Sequence, residues 1–164
     1  MRTGMKTLIL LRHAKSDHPP ALSDRDRPLA ERGTLDVPRM GRRLHARAVR
    51  LDKLISSPAV RALATARLMA AALEYPPRRI LVDERLYPGD VAQLLAVIRT
   101  LDEEAHHVML VAHNPGLSEL AHRFAAQITH LPTCAAAAFE FDGAWSDITG
   151  VDFSRVTLET PKGS

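Results

Sequence analysis

Lys6-Thr7-Leu8-Ile9-Leu10-Leu11-Arg12 is an unbroken apolar run of strand length that ends on a charge and is followed by His13-Ala14. A strand with one wet face alternates apolar and polar residues. An unbroken run suits a strand covered on both faces, as in a parallel sheet under helices. Working outward, similar runs return at Lys53–Ser56 and His107–Ala112, with a shorter one over residues 80–82. Helical patterns separate them. One spans residues 29–49, starting within residues 31–34, with Pro38 near its first turn. The next is opened by Ser57-Pro58, with proline in first position, and runs through Leu73 to the stop at Pro76-Pro77. Residues 91–101 follow Asp90, a fitting N-cap, and Asn114-Pro115 starts a helix ending near Gln127. Residues 135–141 and 151–159 read as edge strands flanking a turn at residues 143–145. The alternation predicts an α/β protein, a three-layer α/β/α sandwich with a mostly parallel central sheet.

A length of 164 residues suits one domain, residues 1–164. Aromatic residues are only 4% of the chain, which leaves the core to alanine and branched aliphatics and gives no stacking platform for single-stranded nucleic acid. The one cysteine, Cys134, excludes an internal disulfide framework and a cysteine-rich zinc site. No apolar run approaches the roughly 20 residues that cross a bilayer, and the run from Leu8 to Leu11 is too short for a signal-peptide core. A cytoplasmic setting with no membrane contact is the expectation. Lys and Arg total 22 against 19 Asp and Glu, a formal charge of +3, with a pI near 9.4. The basic residues are scattered, so nucleic acid is not an expected partner, but arginine is the better fork for phosphate.

In doubly wound sheets, ligands sit beyond the carboxyl ends of the strands. Three such ends matter here: Arg12-His13, Ser56-Ser57-Pro58 and His113-Asn114-Pro115. Neutral imidazole is a competent nucleophile toward phosphorus, so His13 is a candidate nucleophile and Arg12 a candidate phosphoryl-oxygen donor. Arg61 lies just inside the helix after the second strand, where the helix N-terminus also favours an anion. His113 is placed to donate to a developing phosphoryl oxygen. Taken singly, each segment fits a plainer role equally: a strand-end cap for the histidines, a solvated helix face for Arg61. No histidine pair has HExxH spacing, and adjacent His106-His107 would face opposite sides of a strand. No metal and no cofactor are expected.

Together, Leu11-Arg12-His13-Ala14, the Ser-Ser-Pro-x-x-Arg-Ala-x-x-Thr-Ala run from Ser56, and Ala112-His113-Asn114-Pro115 resemble the histidine phosphatase superfamily, also called phosphoglycerate mutase-like. The short chain and Ser23-Asp24-x-x-Arg27-Pro28-Leu29-x-x-x-Gly33 resemble its compact branch, the SixA-type phosphohistidine phosphatases. The resemblance implies the phosphoglycerate mutase-like fold. It implies His13 as the nucleophile that carries the phosphoryl group, Arg12 and Arg61 as its clamp, and His113 as the second pocket histidine. Arg27 would be a further basic contact, and Glu84 the counterpart of the general acid of larger members, if its pKa were raised. Ala14 and Ala112 stand where glycine is common in the family.

The implied activity is hydrolysis of phosphohistidine on a protein through a phosphoenzyme, releasing inorganic phosphate. Lid insertions have no room in this chain, so an open pocket that accepts a side chain of another protein is expected. Two alternatives stand beside that reading: a phosphomonoesterase acting on a small phosphate-containing molecule, and a non-catalytic phosphate- or nucleic-acid-binding module.

Overall fold

A computed structural model of the chain describes residues 4–162. Met1–Thr3 and residues 163–164 lie outside the described residues. The apolar run becomes β1 (Met5–Arg12), and the chain then alternates through α1 (Glu31–Ala46), β2 (Lys53–Ser56), α2 (Val60–Ala72), β3 (Leu81–Val82), α3 (Val91–Arg99), β4 (His107–Ala112) and α4 (Gly116–Phe124). It closes with β5 (Ala136–Asp142) and β6 (Phe153–Glu159).

The strands form one sheet in the order β3-β2-β4-β1-β5-β6. β1 runs parallel to β4, with Leu10 opposite Leu110, and antiparallel to β5, with Leu10 opposite Ala137. β2 joins β3 and β4 in parallel. The side-chain period of two then divides β1 between two cores. Leu8 and Leu10 pack with Val108, Leu110, Phe139 and the apolar sides of α3 and α4. Ile9 and Leu11 pack with Met109, Val111, Leu54 and residues of α1 and α2 such as Met40 and Met69. These four β1 side chains are at most 2% exposed. Each buried aliphatic contributes about 1.5–3 kcal/mol, which explains why the run has no polar break.

α3 starts where Asp90 was expected to cap it. The Asp90 carboxylate accepts from the Gln93 backbone N–H at 2.8 Å, while the Gln93 side chain accepts from the Asp90 N–H at 3.1 Å. Four expectations need correction. β5 is not an edge strand: it lies between β1 and β6, because its backbone pairs antiparallel with both, Ala137 opposite Leu10 on one side and Leu158 on the other. Pro58 precedes α2 instead of opening it. Ser57 Oγ accepts from the Ala59 N–H at 3.1 Å and holds a turn first, so the helix begins at Val60. Pro38 lies inside α1, not in its first turn. α4 ends at Phe124, where Ala125 turns extended, short of the expected Gln127.

Candidate active site

Arg12 closes β1 and His13 is the next residue; Ala112 closes β4 and His113 is the next. The two strands are direct neighbours in register, with Arg12 opposite Ala112, so the two imidazoles leave the sheet side by side. The His13 N–H donates to the Ala112 carbonyl at 3.2 Å, and the N–H of Ser57, the residue after β2, donates to the Val111 carbonyl at 2.9 Å. Three adjacent strands thereby fix three functional residues to one rim. The ring centroids of His13 and His113 are 5.1 Å apart.

The hydrogen bonds set the tautomers. His13 Nδ1 lies 2.8 Å from the Ala14 carbonyl, which can only accept, so Nδ1 carries the proton. Its Nε2 keeps a lone pair and receives Arg61 Nε–H at 3.3 Å. Burial pushes the His13 pKa down to about 4, and Arg61 and Arg12 push the same way against the Ala14 contact. His113 Nε2 meets Ser57 Oγ at 2.7 Å. That hydroxyl accepts from Ala59, and among the described residues its own proton has no acceptor other than His113 Nε2, so it donates there and the His113 proton sits on Nδ1. Burial, then the neighbouring His13 and Arg61, push His113 down to about 3. Both rings are therefore neutral at pH 7.

Among the described residues, the buried side-chain nitrogens without a hydrogen-bond partner are Arg12 Nε and His113 Nδ1. A buried unsatisfied donor costs about 1–3 kcal/mol, so two of them at one pocket ask for an acceptor. The pocket encloses about 410 Å³ and is lined by Arg12, His13, Arg27, Arg61 and His113 among others. That volume falls in the range of small-ligand sites, roughly 300–1,000 Å³. An anion placed there meets two guanidinium groups and an N–H of His113. Among the described residues, no group of three or more His, Cys, Asp or Glu is arranged to hold a metal ion.

The structure gathers five of the six singled-out side chains and leaves one apart. Arg27 stands at the pocket edge, spent on its own loop: Nε donates to Asp17 O at 3.0 Å, Nη1 to Asp24 Oδ1 at 2.7 Å, and Nη2 to Ser16 Oγ. Glu84 does not line the pocket. It is 69% exposed and pairs with Arg25 at 3.0 Å, because the turn that carries it faces solvent.

Four contributors escaped the sequence reading. Asp24 accepts from Arg61 Nη2 at 3.1 Å, from Arg27 and from the Tyr87 hydroxyl at 2.7 Å, while Arg61 Nη1 also reaches the Asp24 carbonyl. Tyr87 and then the arginines hold the Asp24 carboxyl near 2, so it is ionised at pH 7. Tyr87 also sets its ring edge-on to His113, with 5.4 Å between centroids. Thr65 accepts from the Ala14 N–H at 3.0 Å and donates to Arg61 O at 2.8 Å, tying α2 to the loop behind the nucleophile candidate. Ser57 orients His113. Ser57, Thr65 and Asp24 all sit inside the quoted motifs, where the signal was present but their partners were not; nothing local marks Tyr87.

A parallel-centred α/β sheet that brings two neutral imidazoles and two arginines to one pocket defines a site with the charge to hold an anion. Residues 8–88 match the histidine phosphatase superfamily, branch 1. An uncharacterised protein of Mycobacterium tuberculosis strain H37Rv is 30% identical over 163 residues, covering 93% of this chain and all of that one. The chain belongs to the histidine phosphatase superfamily. Its fold is shared with a protein assigned as phosphohistidine phosphatase SixA from Agrobacterium tumefaciens, at 26% identity and a TM-score of 0.76 over 94% of this chain and 96% of that one. It is shared likewise with a protein histidine phosphatase SixA solved with tungstate, at 24% identity and a TM-score of 0.79 over 95% and 97%.

Proposed function

We propose that this chain is a phosphatase that works through a phosphohistidine intermediate on His13 and acts on phosphohistidine carried by another protein. The observation that carries the reading is the convergence of a neutral His13, His113, Arg12 and Arg61 on one pocket with two unsatisfied donors. His13 Nε2 gives its lone pair to phosphorus as the bond from phosphorus to the leaving imidazole nitrogen breaks, and the departing electron pair stays on that nitrogen. Nδ1–H, held by Ala14, stabilises the ring as it becomes cationic. Arg12, Arg61 and His113 Nδ1–H meet the charge on the transferring oxygens, which is most of what catalysis of phosphoryl transfer requires. Arg27 adds positive charge from the pocket edge. Water then attacks phosphorus, the P–Nε2 bond breaks, and inorganic phosphate leaves with His13 neutral again.

Three observations favour a nitrogen leaving group over an alkoxide. Glu84 is outside the pocket, the Asp24 carboxyl is ionised, and structural relatives include one named a phosphohistidine phosphatase and one named a protein histidine phosphatase. The pocket also has more room than a phosphoryl group alone needs, and exposed Lys15 lines it at the margin, as suits a substrate carried on a larger partner.

The test compares wild type with His13→Ala on a phosphohistidine peptide, phosphoramidate and p-nitrophenyl phosphate, with an alkaline quench in detergent to trap labelled protein. The expected result is an acid-labile, alkali-stable phosphoprotein in wild type alone, with turnover fastest on the nitrogen-linked substrates. Undiminished hydrolysis by His13→Ala would refute the assignment, and preference for the ester would transfer it to a small-molecule phosphomonoesterase.

A further inference from the structure

Arg12 reaches the pocket from a strand end, and among the described residues its guanidinium has one acceptor: Nη1 donates to the Leu131 carbonyl at 3.2 Å. That carbonyl belongs to the segment between α4 and β5, which has no regular secondary structure to hold it. The peptide of Leu131 is nonetheless gripped on both sides. Asn114 Nδ2 donates to the same carbonyl at 2.8 Å, and the Leu131 N–H donates to Ser118 Oγ at 2.9 Å. Ser118 Oγ–H in turn donates to Asn114 Oδ1 at 2.8 Å, and Asn114 Oδ1 also receives the Ser118 N–H at 3.1 Å. Leu131 is fully buried and Ser118 only 8% exposed, so the bond between them is shielded from competing water, while the bonds of Asn114 and Arg12 are partly buried.

The loop of bonds has one open end, and Arg12 stands on it. Two donors share one carbonyl oxygen, each fitting one lone pair. With Nη1 fixed there, the plane of the guanidinium is set, its Nε is left without a partner, and Arg12 lines the pocket. A guanidinium fork recognises an oxyanion only when its plane is aligned, so what orients the plane controls binding. Arg61 has a different support, the Asp24 loop, so the two arginines are held independently.

We infer that Asn114 and Ser118 are positioning residues for Arg12, acting through the Leu131 carbonyl; the inference rests on Arg12 serving the phosphatase proposed above. Asn114 directly follows His113, so one turn of chain places the second imidazole and orients the first arginine together. A plain structural role is the competing account, since Asn114 Oδ1 also satisfies an N–H in the first turn of α4.

A double-mutant cycle separates the two. Asn114→Ala and Ser118→Ala are each made in wild type and in Arg12→Ala, and kcat/KM for phosphoramidate and Ki for inorganic phosphate are measured at a temperature where all are folded. Losing one neutral bond of this kind is worth about fivefold. In the Arg12 background, each variant is expected to lose about fivefold in kcat/KM and to weaken phosphate by a similar factor. In the Arg12→Ala background, the loss should shrink below about twofold, since no arginine remains to orient. Equal losses in both backgrounds, or none in either, overturn the positioning role and leave the phosphatase reading standing. If Arg12→Ala itself leaves kcat/KM unchanged, both readings fall. Should Asn114→Ala not fold, Ser118→Ala completes the cycle alone.

Discussion

The two buried imidazoles make a quantitative claim on stability between pH 8 and pH 5. His13 and His113 have folded pKa values of about 4 and about 3, while an unfolded histidine titrates near 6.5. Between those values the unfolded chain binds protons that the folded chain refuses, so stability rises with pH and is lost on acidification. At pH 5 both folded rings are still neutral, and the cost is simply that of protonating each in the unfolded state. From pH 8 to pH 5 that is about 2 kcal/mol per histidine, about 4 kcal/mol for the pair. Against a usual total of about 5–15 kcal/mol, this is a large fraction. The perturbation is His13→Gln, which keeps a polar side chain but removes one titrating group. Urea unfolding in phosphate-free buffer at pH 8 and pH 5 gives the two stabilities for each protein. Whatever the variant's absolute stability, its loss across the interval should be smaller than wild type's by about 2 kcal/mol. Low-lying carboxylates such as Asp24, near 2, titrate below this window and do not blur it. Identical losses in the two proteins would mean that His13 titrates in the fold as it does unfolded, and the argument that burial keeps the nucleophile neutral would fail with it.

Two further outcomes follow from geometry. Glu84→Gln should leave phosphoramidate turnover within about twofold, because an exposed side chain paired with Arg25 supplies none of the 10²–10⁴ typical of a general acid; steady-state kinetics showing a loss above tenfold would put Glu84 in the reaction. Gly33→Ala should destabilise the fold by about 2 kcal/mol and lower Tm by roughly 4–8 °C in a thermal scan. The added Cβ would lie 2.3 Å from the Lys15 carbonyl, which already accepts the Ala30 N–H at 2.9 Å; an unchanged Tm would show that α1 slides freely on that loop.

The fold was readable where its causes are local. β1, β2 and β4 have bare apolar runs because both faces are covered, and each ends on the residues that reach the rim. Where pairing partners decide, the sequence was less informative: Ala136 to Ala138 gave no sign that they would sit inside the sheet. The same division applies to the site. His13, His113, Arg12 and Arg61 come straight off elements whose ends the pattern marks, and these four meet in one pocket. Glu84, Asp24 and Tyr87 are on irregular segments whose positions depend on contacts between distant residues, such as Tyr87 with Asp24. Motif spacing singles out Thr65 and Ser57 without saying what they hold; only the coordinates show them bracing Ala14 and His113.

The bonds that Asp24 accepts from Arg61, Arg27 and Tyr87 have a consequence for turnover. Asp24 is in effect a built-in counter-ion, tethered to the mouth of the cleft. For the phosphatase proposed here, taking up a phosphoryl group is then an exchange of one anion for another, and the net gain is a difference between two ionic contacts. Released phosphate faces the same rival on its way out. A site with this many cations can thereby bind a dianion long enough to react and still let the product go.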